Sequence, residues 1–293
     1  DLVTAPDTDA ICIGTWPYLH RTITLAALEN NKHVLTEARM AMNASEAQDM
    51  LDASREKPHL VTQVVPALFA AEVENVMVEL IQGGYLGDIL SIDLSAIDLV
   101  PDNGFINHQS PLRWRHRRDL SGYNIMLMGA WYEVLDRWVG PATKVTAITR
   151  VNVTSRNDET GARRVISVPD HVEILCDMAT GAVAHMRFSE VTGLVPKDRV
   201  WLFGTEGTIL LECHVLNEEV RLMGGRRGDN KLSEIEIPAQ KKGHWRVEEE
   251  FVNAIRGIET VTLTTFEDGV NCMEFTEAVT RSAQSGMAIN LPL

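Results

Sequence analysis

Along the first hundred residues, short apolar runs alternate with longer stretches whose apolar residues recur every three or four positions. The run 9–15 ends in Gly14 and Thr15, as a buried parallel strand ends in turn chemistry. Residues 18–30 carry Leu19, Ile23, Ala26, Ala27 and Leu28 at helical spacing. A strand is predicted at 33–36. Asn43, with Glu46 three residues on, predicts a capped helix reaching about residue 55. A strand at 59–65 and an amphipathic helix at 71–82, stopped by Gly83 and Gly84, follow. Strands separated by helices of this length imply a parallel sheet with crossover helices.

From Gly87 the pattern changes. A long strand is predicted at 88–99, an irregular segment rich in His and Arg at 101–119, and one helix at 121–139. Strands follow at 145–153, 165–178, 182–191, 199–203, 208–214 and 219–223, with turn glycines in 179–182 and 204–207. Helices at 245–256 and 265–285 close the chain. The expected fold class is therefore α/β plus α+β. A parallel sheet over 1–87 precedes an open, mostly antiparallel sheet with helices on one face over 88–293, and the closing helices can pack back on the first unit. Such a sheet leaves a face to bury. Alternating apolar residues in 183–188 and 200–203 lead to the expectation of a homo-oligomer joined through that face.

Composition narrows the partners. The 293 residues are enough for two cores, and the net charge of −14 repels polyanions, which argues against nucleic acid and anionic membranes. No apolar run reaches bilayer length, and no signal peptide opens the chain. The four cysteines are scattered, which favours reduced thiols and a cytoplasmic location. No histidine pair has metal-ligand spacing on one helix, so no metal is expected. The chain begins with Asp1, from which a fragment or a processed chain is expected.

Several segments together resemble the Gfo/Idh/MocA oxidoreductases, the glucose-fructose oxidoreductase and inositol dehydrogenase type. Residues 9–20, with Thr15, Pro17 and His20, resemble a strand ending in T-P-x-x-x-H, displaced by one residue at Trp16. Residues 26–37 resemble the helix and strand before the family's E-K-P motif. Leu86 to Ser91 resembles its crossing into the second domain, and 121–140 its catalytic helix. Residues 203–208 and 265–269 resemble its late signatures. The resemblance implies that 1–87 is the C-terminal part of a Rossmann-type dinucleotide-binding domain and that 88–293 binds substrate. It also implies NAD or NADP as cofactor and a carbohydrate-like small molecule as substrate. No G-x-G-x-x-G turn is present. That turn is expected to lie before Asp1, and a chain without it is expected to hold the dinucleotide weakly.

By the same resemblance, the cofactor meets Thr15, Trp16, Pro17, His20, Glu37, Ala38, Trp114 and Arg115. The family's usual proton relay is a lysine, an aspartate and a histidine, and this sequence departs from all three. Ala38 stands at the lysine, Leu127 at the aspartate and Trp131 at the histidine. None of these side chains can relay a proton. The candidates for catalysis are then Tyr132, Tyr123 and Arg39, with Tyr132 equally readable as a core aromatic. Arg113, His116, Asn124 and Trp131 are candidate substrate contacts, and His108 shares their loop.

The implied function is an NAD(P)-dependent oxidoreductase acting on a hydroxyl of a sugar, polyol or related compound, with an atypical catalytic site. Two alternatives are an NAD-dependent glycosidase of the same fold and a non-catalytic binding or assembly protein.

Overall fold

The computed structural model describes residues 2–67, 70–97, 105–106, 109–195, 197–214 and 219–293. The first part runs β1 (Ala10–Ile13), α1 (His20–Glu29), β2 (His33–Thr36), α2 (Ala44–Arg55), β3 (Thr62–Val64) and α3 (Ala71–Gln82). β1, β2 and β3 form a parallel sheet in that order. Asn43 caps α2 by accepting the Glu46 amide at 2.9 Å, a contact worth about 1 kcal/mol. The reciprocal arm of the box shifts by one residue, because Glu46 Oε2 accepts from the Met42 amide instead.

The second part begins with β4 (Ile89–Ile97), a short helix α4 (Arg118–Ser121) and α5 (Met128–Val139). β5 (Ala142–Arg150) and the small hairpin β6 (Ser155–Asn157) and β7 (Arg163–Val165) come next. β8 (His171–Met178), β9 (Val183–Ser189), β10 (Asp198–Gly204), β11 (Gly207–His214), β12 (Glu219–Arg226) and β13 (Ser233–Glu234) follow. The chain closes with α6 (Val247–Ile255), α7 (Phe266–Ser285) and β14 (Ile289–Asn290). Nine of these strands form one sheet in the order β13-β12-β11-β10-β4-β9-β8-β5-β14. Only the central β4–β9 pairing is parallel among the described residues.

Three differences from the sequence reading matter for the site. The helix expected over 121–139 is broken. Gly122 takes φ +61 and Met126 φ +44, so Tyr123 and Asn124 lie in a turn between α4 and α5. A Cβ at Gly122 would lie 2.1 Å from the Met42 carbonyl, so only glycine permits this close crossing. The strand expected over 165–178 is likewise split, into β7 and β8 around Pro169.

The third difference concerns packing. α3, placed before the boundary at 87/88, buries Val73, Val76 and Met77 in the core of the larger sheet. α6 packs Val247 and Phe251 on Leu35 of the first sheet. α7 serves both cores, with Phe266, Val270 and Met273 in the first and Phe275, Ala278 and Val279 in the second. The apolar alternates of β9 and β10 (Ala184, Met186, Phe188, Val200, Leu202) are buried in this helix-covered core. The opposite face instead presents Val183, His185, Arg187, Arg199, Trp201 and Phe203, so it is more mixed than the alternation suggested.

Candidate active site

The C-terminal ends of β1 and β2 meet the segment 114–124, and five candidate side chains lie at that junction. Trp16 and Trp114 stack with ring centroids 6.1 Å apart and planes 16° from parallel. The Arg115 guanidinium lies 4.3 Å over the Trp114 ring. Tyr123 carries the Arg118 guanidinium 5.5 Å from its ring centroid. Its amide donates to Met42 O at 2.8 Å, which ties the turn to the first unit. Asn124 Nδ2 strengthens the tie by donating to Ala41 O at 2.9 Å and Ser121 O at 2.8 Å. The Tyr123 hydroxyl has no hydrogen-bond partner among the described residues.

Thr15, Pro17, Glu37 and Ala38 lie at the strand ends as expected, Glu37 exposed and Pro17 buried at the head of a 3-10 turn. Glu37 Oε2 accepts the Ala38 amide at 3.2 Å. Arg113 pairs with Glu190 at 3.5 Å, and His116 Nδ1 accepts the Arg113 amide at 3.1 Å. Both therefore shape the loop. His108 lies outside the described residues.

Four candidates are placed in supporting roles. His20 is fully buried. Its Nε2 lies 2.9 Å from Thr15 O, and its Nδ1 lies 3.1 Å from Arg39 O and 3.2 Å from Met40 O. The ring thus brackets the ends of β1 and β2 together rather than facing a ligand. Tyr132 is 1% exposed and stacks on Phe275 at 3.7 Å, and its hydroxyl accepts the Ala142 amide at 3.1 Å. Burial drives its pKa upward, with Asp136 adding to the effect. A phenol held this way cannot act as an acid–base group at the cleft, so the core-aromatic reading applies. Trp131 is also buried, and its Nε1 donates to Asp198 Oδ2 at 3.0 Å.

Arg39 is the fourth. It pairs with Glu133 of α5 beneath the cleft. A Cβ at Gly129 would lie 2.9 Å from Arg39 Cδ, so the glycine leaves room for the arginine. Glu133 also takes Arg137 at 2.9 Å, the Ala67 amide at 2.8 Å and Thr264 Oγ1 at 2.7 Å. Arg137 reaches on to Glu74 at 3.0 Å. Burial alone would raise the Glu133 pKa, but Arg39 and Arg137 outweigh it and hold it below the usual range. Two cations and two anions thus form a balanced network joining β2, α3 and α5. Arg39 is an interior strut.

Three polar atoms around the junction lack partners among the described residues: Thr15 Oγ1, Ser121 Oγ and Asn124 Oδ1. Unsatisfied buried polar groups are uncommon and gather where a ligand or water completes the structure. Together with the aromatic pair, they fit a planar ligand that carries both donors and acceptors.

Comparison with known proteins agrees with this geometry. Residues 1–64 match the model of the "Oxidoreductase family, NAD-binding Rossmann fold", and residues 75–210 match that of the "GFO/IDH/MocA C-terminal domain". The chain belongs to the Gfo/Idh/MocA oxidoreductase family. As a Gfo/Idh/MocA chain it is 26% identical over 238 residues to levoglucosan dehydrogenase of Pseudarthrobacter phenanthrenivorans, a match covering 71% of this chain and 56% of the relative. It is 46% identical over 56 residues to 1,5-anhydro-D-fructose reductase of Ensifer adhaerens, covering 19% of this chain and 17% of that protein. The matches therefore span little more than half the length of the curated relatives at most. A solved levoglucosan dehydrogenase in complex with NADH and levoglucosan superposes with a TM-score of 0.84 at 22% identity, covering all of this chain and 82% of the other.

Within this Gfo/Idh/MocA chain, one cation at the junction escaped the sequence reading. Arg118 lies inside the basic run 113–118, where Asp119 would pass for its partner. In the structure Asp119 is taken by Arg117 at 2.7 Å. The only available signal was Gly122 four residues beyond Arg118, the carbonyl it holds at 3.1 Å.

Proposed function

We propose that this chain is part of an NAD(P)-dependent oxidoreductase acting on a hydroxyl-bearing carbon of a sugar, polyol or related compound. The observation that carries the reading is the junction itself, where strand ends of a parallel sheet face the Trp114–Asn124 segment. Open parallel sheets bind dinucleotides at their strand ends. Thr15, Trp16, Glu37 and Ala38 would hold the cofactor from one side and Trp114 and Arg115 from the other. When bound, the nicotinamide supplies the hydride acceptor or donor. The names of the two curated relatives, a dehydrogenase and a reductase of anhydrosugars, support a redox reaction on a carbohydrate over glycoside cleavage or a purely binding role.

The chain's own part is proton transfer and orientation. Tyr123 is the proton-transfer candidate, because its hydroxyl has no partner among the described residues and it lies beside the cleft. The Arg118 guanidinium lies 5.5 Å from the centroid of the same ring and fixes its position. Asn124 Oδ1 would accept a substrate hydroxyl. The reading also includes a cytoplasmic location and a homo-oligomer joined through the open sheet face. No described helix is long and apolar enough to cross a membrane.

The test is to incubate the full-length protein with NAD or NADP and a panel of anhydrosugars, free sugars and polyols, following reduced cofactor. Net reduction dependent on one carbohydrate is the expected result. Sugar release from a glycoside without net reduction would overturn it.

A further inference from the structure

A cavity of about 440 Å3 opens between residues 112–119 and the β6–β7 hairpin. Its lining holds three guanidinium groups, Arg117, Arg118 and Arg164, against two carboxylates, Asp119 and Asp158. In a chain of net charge −14, a cationic cavity is a departure that needs a cause. Two of the arginines are neutralised, Arg117 by Asp119 and Arg164 by Asp158, each at 2.7 Å.

Arg118 is different. It donates only to carbonyls, Gly122 O at 3.1 Å and Ser167 O at 3.5 Å, and no carboxylate among the described residues pairs with it. Burial pulls its pKa below the ordinary arginine value, opposed only by the nearby Tyr123 phenol. A half-buried cation with no counter-ion is costly unless something supplies one. The same guanidinium lies over the Tyr123 ring, so the cavity and the proposed proton-transfer group share one side chain.

We propose that this cavity receives an anionic oxygen group, a carboxylate or phosphate borne by the substrate, with Arg118 as its counter-ion. The substrate class is then an acidic sugar derivative, its reacting hydroxyl at Tyr123 and its anionic substituent against Arg118. This rests on the oxidoreductase reading above. A guanidinium matches a carboxylate or phosphate through paired N–H donors, which a neutral hydroxymethyl group does not exploit.

Equilibrium titrations of the full-length protein test it, with D-glucuronate, D-glucose and inorganic phosphate as probes, each with and without NADH. Glucuronate is expected to bind about tenfold or more tightly than glucose, since a hydrogen bond to a charged group contributes on that scale. Arg118→Gln should erase the preference and Arg118→Lys should keep part of it. A second variant avoids the Gly122 turn altogether. Val165 is 86% exposed at the cavity rim, and Val165→Glu sets a like charge there without touching a core. It too should erase the preference.

Phosphate that competes with glucuronate, and loses affinity in the same variants, supports the site. Phosphate that binds without competing overturns a substrate-borne anion. Equal affinity for the two sugars, no binding of glucuronate, or a preference surviving both Arg118→Gln and Val165→Glu also overturns it. NADH affinity, read separately, reports on the oxidoreductase reading alone.

Discussion

Glu133 of α5 holds the Arg39 guanidinium from the end of β2, and this ion pair lies under the cleft. The pair is interior, with side chains 13% and 3% exposed. Glu133→Gln would leave Arg39 and Arg137 partly unneutralised away from water. A loss of about 3–5 kcal/mol is expected, read as a lower urea midpoint. A loss under 1 kcal/mol would mean water or another group compensates.

The two tyrosines separate cleanly. Tyr132→Phe removes the acceptor of the Ala142 amide and should cost about 1–2 kcal/mol of stability while leaving turnover intact. Tyr123→Phe should do the reverse, keeping stability and lowering turnover by about 10²–10⁴. Turnover on the true substrate that is insensitive to Tyr123→Phe would remove the phenol from the mechanism.

Gly122→Ala tests the turn that delivers Tyr123. Its φ of +61 with ψ −132 is glycine territory, and the new methyl would meet the Met42 carbonyl. A loss of about 2 kcal/mol or more is expected in thermal or urea unfolding. Activity should fall further than stability explains, since the turn would be displaced from the first unit.

These elements also show where the sequence was legible. The helix Ala71–Gln82 matches its reading to the residue, because an apolar stripe and a Gly83-Gly84 stop are local signals. The first sheet, the nine-stranded sheet's main strands and the Asn43 cap were legible for the same reason. The break at 122–127 was not, since Gly122 is required by Met42, eighty residues away. His20 read as a ligand contact from its place after a strand, yet the carbonyls that bury it come from Arg39 and Met40. Charge pairing was the least legible. Neither the Arg39–Glu133 pair nor the isolation of Arg118 can be seen without knowing which segments meet.

Asp136 predicts a pH dependence. Burial, reinforced by Asp268, raises its pKa to about 6 from an ordinary 3.8. The folded state then binds more protons than the unfolded state between those values, so stability should fall as pH rises from about 4 to about 6. Asp136→Asn should flatten that limb and be more stable near pH 7, by up to about 3 kcal/mol. Glu133 acts oppositely, because its pKa is depressed and its stabilisation is lost as pH falls below about 4.5. Urea unfolding at half-unit pH steps distinguishes the limbs. An Asp136→Asn variant that retains the wild-type slope would rule out this assignment.

The helix α7 has a mechanical consequence. Twenty residues make a rod of about 30 Å. Its first half is anchored in one core and its second half in the other. To jackknife apart, the two sheets would have to pull Phe266, Val270 and Met273, or Phe275, Ala278 and Val279, out into water. Each large side chain among them would cost about 1.5–3 kcal/mol. The molecule is therefore a single stiff frame. A clamshell movement of the two sheets is thereby opposed by the same rod that joins them.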